Sequence, residues 1–355
     1  MVMVVFVHGY NLNQRYLRSA TIVNEPLTLN TFIQYFLSNG IFRFFIPMLF
    51  VISGYLYALQ DEQPYRKSII KRLRTLLLPY LMWSAIGLCF TWWLETYAYG
   101  QQIVQETHLM QLSGDRVLLH SYRPYELLWR WLIMPVPYQL WFVRVLFIYN
   151  LAYPVLRRCA TKGAKVFFPL AVLLWLADFG TPFIEAEGLL FFSLGIWIQK
   201  RNFDIEKPGK WLQPMPWGIV FFGLATIKTV LALKGYAVMG GAVFPVLHVI
   251  YKTVVISGLI MAWYSSDDMV KWFMERKWFL WLTSFSFFIY VAHAPLVSYA
   301  VNMIFPLADH IPHYRLLTYI LLPVGILGLC IAAGALIRSI APRFFAILTG
   351  GRGRV

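Results

Sequence analysis

Apolar residues run in long blocks along this 355-residue chain, and polar residues gather in the links between them. The blocks lie near Ile41–Leu59, Leu76–Leu94, Gln139–Leu156, Val166–Gly180, Gly188–Gln199, Trp217–Leu233, Val243–Tyr264, Trp278–Ile304 and Leu316–Ile340. A bilayer span needs roughly 20 apolar residues, and several blocks reach that length. Hydrocarbon offers no partner to backbone N–H and C=O groups, so such blocks fold as helices. The chain also opens on an apolar run, MVMVVFV, that ends at His8. At ~1.5 Å of rise per residue this run covers only about 12 Å, so it reads as the outer end of a further span. Counting it, the pattern predicts about ten transmembrane helices in a single all-α membrane domain over residues 1–355. The longest link, Glu95 to Tyr138, has room for short amphipathic helices.

Composition agrees. Hydrophobic residues make up 59% of the chain and charged residues 13%, with mean hydropathy +0.60; an average soluble domain carries about 25% charged residues. The net charge of +15 raises the question of nucleic acid, but the cations form no single basic patch. They alternate from link to link. One set of links holds Arg66, Lys67, Lys71, Arg72 and Arg74, then Arg157, Arg158, Lys162 and Lys165, then Lys200, Arg201, Lys207 and Lys210. The set continues with Lys271, Arg276 and Lys277 and ends with Arg338, Arg343, Arg352 and Arg354. Cytoplasmic links carry such an excess. The alternation closes only if the run before His8 is a span, which sets His8 toward the external face. Cys89, Cys159 and Cys330 lie far apart in or beside apolar blocks and read as packing residues, with no metal or disulfide pattern.

Ionisable groups inside spans are costly and mark function by default. Here they are Arg43, Arg144, Lys228, His248, Lys252, His293 and His8, with Asp178 near the end of one block. A proton-coupled transporter usually carries embedded carboxylates; a cationic set suits an anionic ligand instead. Lys228 can snorkel to an interface. His248 and Lys252 share a helix face and point to a polar cavity.

The second span, FRFFIPMLFVISGYLYAL, sets Arg43 at its outer end, Pro47 where a kink is expected, and Gly54 where helices can approach closely. This segment resembles the second-helix signature of the acyltransferase 3 family of integral-membrane acyltransferases. YRKSIIKRLRTLLLPYLMW is similar to the family's basic link and third-helix start, and QLWFVRVLFIYNL to its Leu-Trp-Phe segment. FFSLGIWI and TSFSFFIYVAHAPL resemble two later segments, all in the family's order.

The resemblance implies transfer of an acyl group, acetyl before succinyl, from cytoplasmic acyl-CoA to a hydroxyl of an external carbohydrate. Acceptors of that kind are surface polysaccharides, lipid-linked glycans and periplasmic glucans. The enzyme would sit in the plasma (inner) membrane, with acyl-CoA as co-substrate, no permanently bound cofactor, no metal and no nucleic acid. His8 matches the family's proposed catalytic histidine. The arginine usually found about ten positions earlier has no counterpart, which reads as a late or truncated start. Imidazole titrates near neutrality and can take a hydroxyl proton or carry an acyl group. Arg43 would face donor phosphates or a developing oxyanion, and Lys71, Arg72 and Arg74 would bind CoA phosphates. Trp141 is either a belt residue or an acceptor contact, and His293 either structural or a substrate contact. Two rival readings are a transporter or flippase for a lipid-linked glycan and a non-catalytic member of a polysaccharide export assembly.

Overall fold

The structure is a computed structural model, and residues 1–14, 16–107, 109 and 117–353 are described. Arg354, which the sequence places in an inward link, and Arg116 of the Glu95–Tyr138 link lie outside them. The described secondary structure is helical apart from an isolated bridge at Gly180 and Glu185. By length and composition, five helical stretches can cross a bilayer: Leu29–Leu59, Tyr65–Leu94, Lys210–Ser265, Ser286–Ala308 and Tyr314–Ile340. A pair bent by 74°, Tyr138–Leu151 with Tyr153–Thr161, makes a sixth. Among the described residues this test finds five or six such stretches, and the number ten is not confirmed by it. Val2–His8, Ala164–Leu176 and Ala186–Lys200 fall below a span's length, and Lys210–Ser265 folds back so that Pro214–Val230 packs on Val243–Ser265. All this is the architecture of a multi-pass membrane protein.

The chain divides into two compact units, each assembled from distant segments. The first comprises Met1–Gly9, Pro64–Leu151 and Leu280–Val355. Its longest helix, Tyr314–Ile340, explains how an almost uniformly apolar segment chooses a face. Tyr319, Ile326, Cys330 and Gly334 are buried, whereas Leu321, Val324, Leu329, Leu336 and Ile340 are exposed. At 3.6 residues per turn these form two stripes, one for protein and one for lipid. Van der Waals fit, not polarity, separates them. Val2–His8 packs against this helix and Ser286–Ala308, with Phe6 edge-on to Tyr319 at 5.8 Å. A Cβ on Gly9 would meet Pro323 Cγ at 2.7 Å, so the chain leaves the helix where no side chain fits. Ala98–Thr107 and Pro124–Leu132 fill the long link as the short helices expected there. Buried Glu95 accepts from Leu119 N and His120 N at 2.9 and 3.0 Å. Of the cysteines, Cys330 is buried, Cys159 intermediate and Cys89 exposed. Packing therefore does not account for Cys89, which lies near outward-facing Ile86 and Trp92.

The second unit comprises Tyr10–Gln63 and Ala152–Phe279. Its axis is the pair Phe45–Leu59 and Ala186–Lys200, in which Gly54 faces Phe192 O and Gly195 faces Val51 O. Ahead of Pro47 the chain passes from a π-helical turn, Phe36–Gly40, through a 3-10 turn, Ile41–Phe44. Proline supplies no N–H to the preceding turn, so an irregular start is the expected result. Lys228 does not snorkel. It is wholly buried and donates to Asn39 O at 2.8 Å and Tyr35 OH at 3.3 Å, near the Tyr35 and Tyr251 rings. His248 and Lys252 do share a polar site: Lys252 Nζ meets Asp178 Oδ1 at 2.5 Å, and His248 Nδ1 lies 3.0 Å from Ser19 Oγ. His248 Nε2 contacts Leu176 O and Ser19 Oγ donates to Asp178 Oδ2, so the cluster ties three segments together.

Asp61, just past Phe45–Leu59, receives Lys200 Nζ and Tyr153 OH at 2.7 Å each, with Arg157 Nη1 at 3.3 Å. Burial pushes its carboxyl pKa up, but the Lys200 and Tyr153 hydrogen bonds outweigh it and hold the pKa below its ordinary value. A depressed carboxyl stabilises fully above the unfolded pKa of ~3.9 and loses that contribution as pH falls through the folded value. Asp61→Asn should therefore cost about 1–3 kcal/mol at neutral pH. Thermal unfolding in detergent should show the gap to wild type closing below about pH 4; a gap independent of pH would count against the assignment.

Candidate active site

Ser286–Ala308 is the element that builds the site. Its dihedral angles break at Ala294 (φ −113°, ψ 139°), just before Pro295. Pro295 brings no N–H, so the carbonyl one turn earlier, Val291 O, lacks its helical donor. Gln139 supplies one: its Nε2 donates to Val291 O and Ala294 O, both at 3.0 Å. In return, Tyr290 OH donates to the Gln139 carbonyl. The short turn Tyr138–Leu140 is thereby fixed to the break.

The neighbouring residue does the same for the first helix. Tyr138 OH lies 2.7 Å from His8 Nδ1, and the two rings meet edge-on with centroids 4.9 Å apart. His293, one residue before the break, stacks on His8 with centroids at 5.5 Å and an interplanar angle of 26°. Three parts of the chain, around residues 8, 138 and 293, converge on one pair of imidazoles. His8 is half-buried and His293 fully buried. His293 Nδ1 lies 3.0 Å from Ile289 O. A carbonyl only accepts, so Nδ1 carries the proton and the neutral ring leaves Nε2 with its lone pair. That Nε2 is buried and has no hydrogen-bond partner among the described residues.

The sequence-predicted residues divide between the units. Trp141 sits half-buried two residues after Gln139, at the start of Trp141–Leu151. Arg72 ends Tyr65–Arg72 half-buried, while Lys71 and Arg74 are exposed beside it. Arg352 comes back to this segment: its Nη1 donates to Thr75 O at 2.9 Å. Burial, and then the charge of Arg72, push the Arg352 pKa down to about 10. Arg43 belongs to the second unit, where its Nη2 donates to Leu17 O at 2.8 Å and its Nε is buried without a partner among the described residues. Among the described residues no group of three His, Cys, Asp or Glu side chains is placed to hold a metal.

Tyr138 and Gln139 escaped the sequence reading. The signal was Pro135-Val136-Pro137 just before them, which bars a regular helix and leaves side chains to satisfy neighbouring backbone.

Comparison with known proteins identifies the family. The family model described as an acyltransferase domain matches residues 1–338. The chain belongs to the acyltransferase 3 family. It is therefore a membrane O-acyltransferase. The acyltransferase is also 27% identical over 330 residues to the succinoglycan biosynthesis protein ExoH of Rhizobium meliloti (strain 1021), an alignment covering 89% of this chain and 81% of that protein. No solved structure matches it.

Tyr138 gives the acyltransferase a testable support for His8. Tyr138→Phe keeps the ring contact but removes the oxygen that holds Nδ1. Acyl transfer should fall roughly tenfold to a hundredfold, as for loss of an orienting partner, with membrane abundance unchanged. Rate and abundance measured on one preparation decide it: an unaltered rate would remove Tyr138 from the site.

Proposed function

We propose that this acyltransferase moves an acyl group, acetyl by preference, from acyl-CoA on the cytoplasmic side of the plasma (inner) membrane to a hydroxyl of an external polysaccharide. The observation that carries the reading is the His8–Tyr138–His293 cluster: two imidazoles in contact, held by side chains from a third segment. A base or nucleophile needs a nitrogen lone pair, and His8 carries one on Nε2 in the tautomer whose Nδ1–H donates to the Tyr138 oxygen. Kinship with a protein of succinoglycan biosynthesis supports a polysaccharide as the acceptor. Charge alternation between links supports the sidedness, with His8 outward.

The remaining roles follow from charge and position. Arg72, with Lys71 and Arg74, binds the CoA phosphates through charge-assisted hydrogen bonds. Arg43 offers its half-buried guanidinium to an anionic group, a donor phosphate or the developing oxyanion. Trp141 gives an aromatic surface to the sugar, and His293 contacts the same substrate. Acyl-CoA is a co-substrate, so the protein needs no resident cofactor, and the whole chain serves one reaction.

The test has two arms. Mass spectrometry of the cell's surface polysaccharide should show acyl groups in wild type and none after deletion. Purified protein should bind acetyl-CoA, with affinity lowered at least tenfold, about 1.4 kcal/mol, in Arg72→Ala. A transporter would leave acetyl-CoA unbound, and that result would overturn the reading.

A further inference from the structure

We propose that His293 Nε2 takes the proton of the hydroxyl that receives the acyl group. The inference rests on the acyl-transfer reading above and assigns the second imidazole of that site. A histidine kept for packing alone is expected to have both nitrogens paired, because an unpartnered buried acceptor costs about 1–3 kcal/mol. His293 has one nitrogen paired, to Ile289 O, and one bare and fully buried among the described residues. The bare atom is a lone pair awaiting a donor. Its ring stacks on His8, so the awaited donor belongs beside the reacting centre.

The mounting is rigid. Ile289 O fixes the tautomer, and the break at Ala294 is held by Gln139. Pre-set geometry of this kind is what a proton acceptor in catalysis requires.

Counting protons then divides the work. A hydroxyl has one proton to lose, and His293 Nε2 takes it. The other imidazole of the pair, His8, then serves to bond the acyl carbon. In the first step His8 Nε2 attacks the thioester carbonyl; the N–C bond forms, the C–S bond breaks, and CoA leaves as the thiolate. In the second step the hydroxyl oxygen bonds the acyl carbon and the C–N bond breaks, returning its electron pair to His8. The hydroxyl proton passes to His293 Nε2. Its later release to solvent balances the proton taken up by the thiolate.

The experiment separates the two half-reactions in purified full-length protein given radiolabelled acetyl-CoA and, in a parallel arm, succinyl-CoA. Wild type, His293→Phe, His293→Gln and His8→Gln are compared for the burst of free CoA and for label on the protein. Acyl groups on the surface polysaccharide report the complete reaction in cells. His293→Phe should keep the burst and accumulate label on His8, while transfer to polysaccharide falls at least ~100-fold. His293→Gln, which restores an acceptor oxygen near Nε2, should recover part of the transfer. His8→Gln should show no burst. Wild-type transfer by His293→Phe overturns the proposal, as does loss of the burst in both His293 variants. If wild type itself releases no CoA from either donor, the acyl-transfer reading fails instead, and the two failures are distinct.

Discussion

His8→Ala should abolish acylation of the cell's polysaccharide, with acyl transfer reduced at least ~1,000-fold, within the range expected when a catalytic acid–base group is removed. The protein should remain folded. His8 closes a seven-residue helix whose anchors are elsewhere: Val4 and Val5 are buried, and Phe6 packs on Tyr319. Truncation removes the hydrogen bond to Tyr138 and the stack on His293 but leaves those contacts in place. Polysaccharide acyl content by mass spectrometry, beside membrane abundance of the variant, gives the answer. A folded His8→Ala protein that still acylates at the wild-type level would favour a non-catalytic role in polysaccharide export.

Gly54→Leu should remove the protein from the membrane altogether. A Cβ at Gly54 would fall on Phe192 O, with Phe192 C at 2.9 Å and Cα at 3.2 Å. Gly195 meets Val51 O in the same way, so both faces of the contact are backbone and neither can turn aside. Apolar tails of lipid and protein are equivalent, and helix association in a bilayer depends on this close fit. Forcing the helices apart should cost about 3 kcal/mol or more, a large share of a stability of roughly 5–15 kcal/mol. Gly223→Leu is the control, because nothing lies within 4 Å of a Cβ there. Size-exclusion profiles and thermal unfolding in detergent should show an intact control and an aggregated or absent Gly54→Leu. A monodisperse Gly54→Leu protein with the wild-type melting temperature would refute the close-approach argument.

The same helix pair shows how far sequence reaches. Gly54 was legible as a contact point because a glycine in an apolar span has few other uses, but its partner was not; Gly195 became visible only when the two helices were paired. Pro47 was legible for a similar local reason, since a missing N–H acts on its own turn. Lys228 was misread. Sequence shows a cation in a span, whereas only the fold shows Asn39 O and Tyr35 OH within its reach. The number of spans was less legible, because an apolar block such as Ala164–Leu176 passes a hydropathy reading while its helix is shorter than a usual span.

For the candidate site the division is sharper. Composition, charge alternation and ordered segments determined the solvent, the helical class and the family, because a bilayer constrains every residue along the chain. They also singled out His8. Sequence could not pair His8 with His293, 285 positions away, nor find Tyr138 and Gln139, whose roles arise from a break in another helix. Hydropathy and motif are read one segment at a time. A hydrogen bond between distant segments depends on where each backbone ends up, and only tertiary structure decides that.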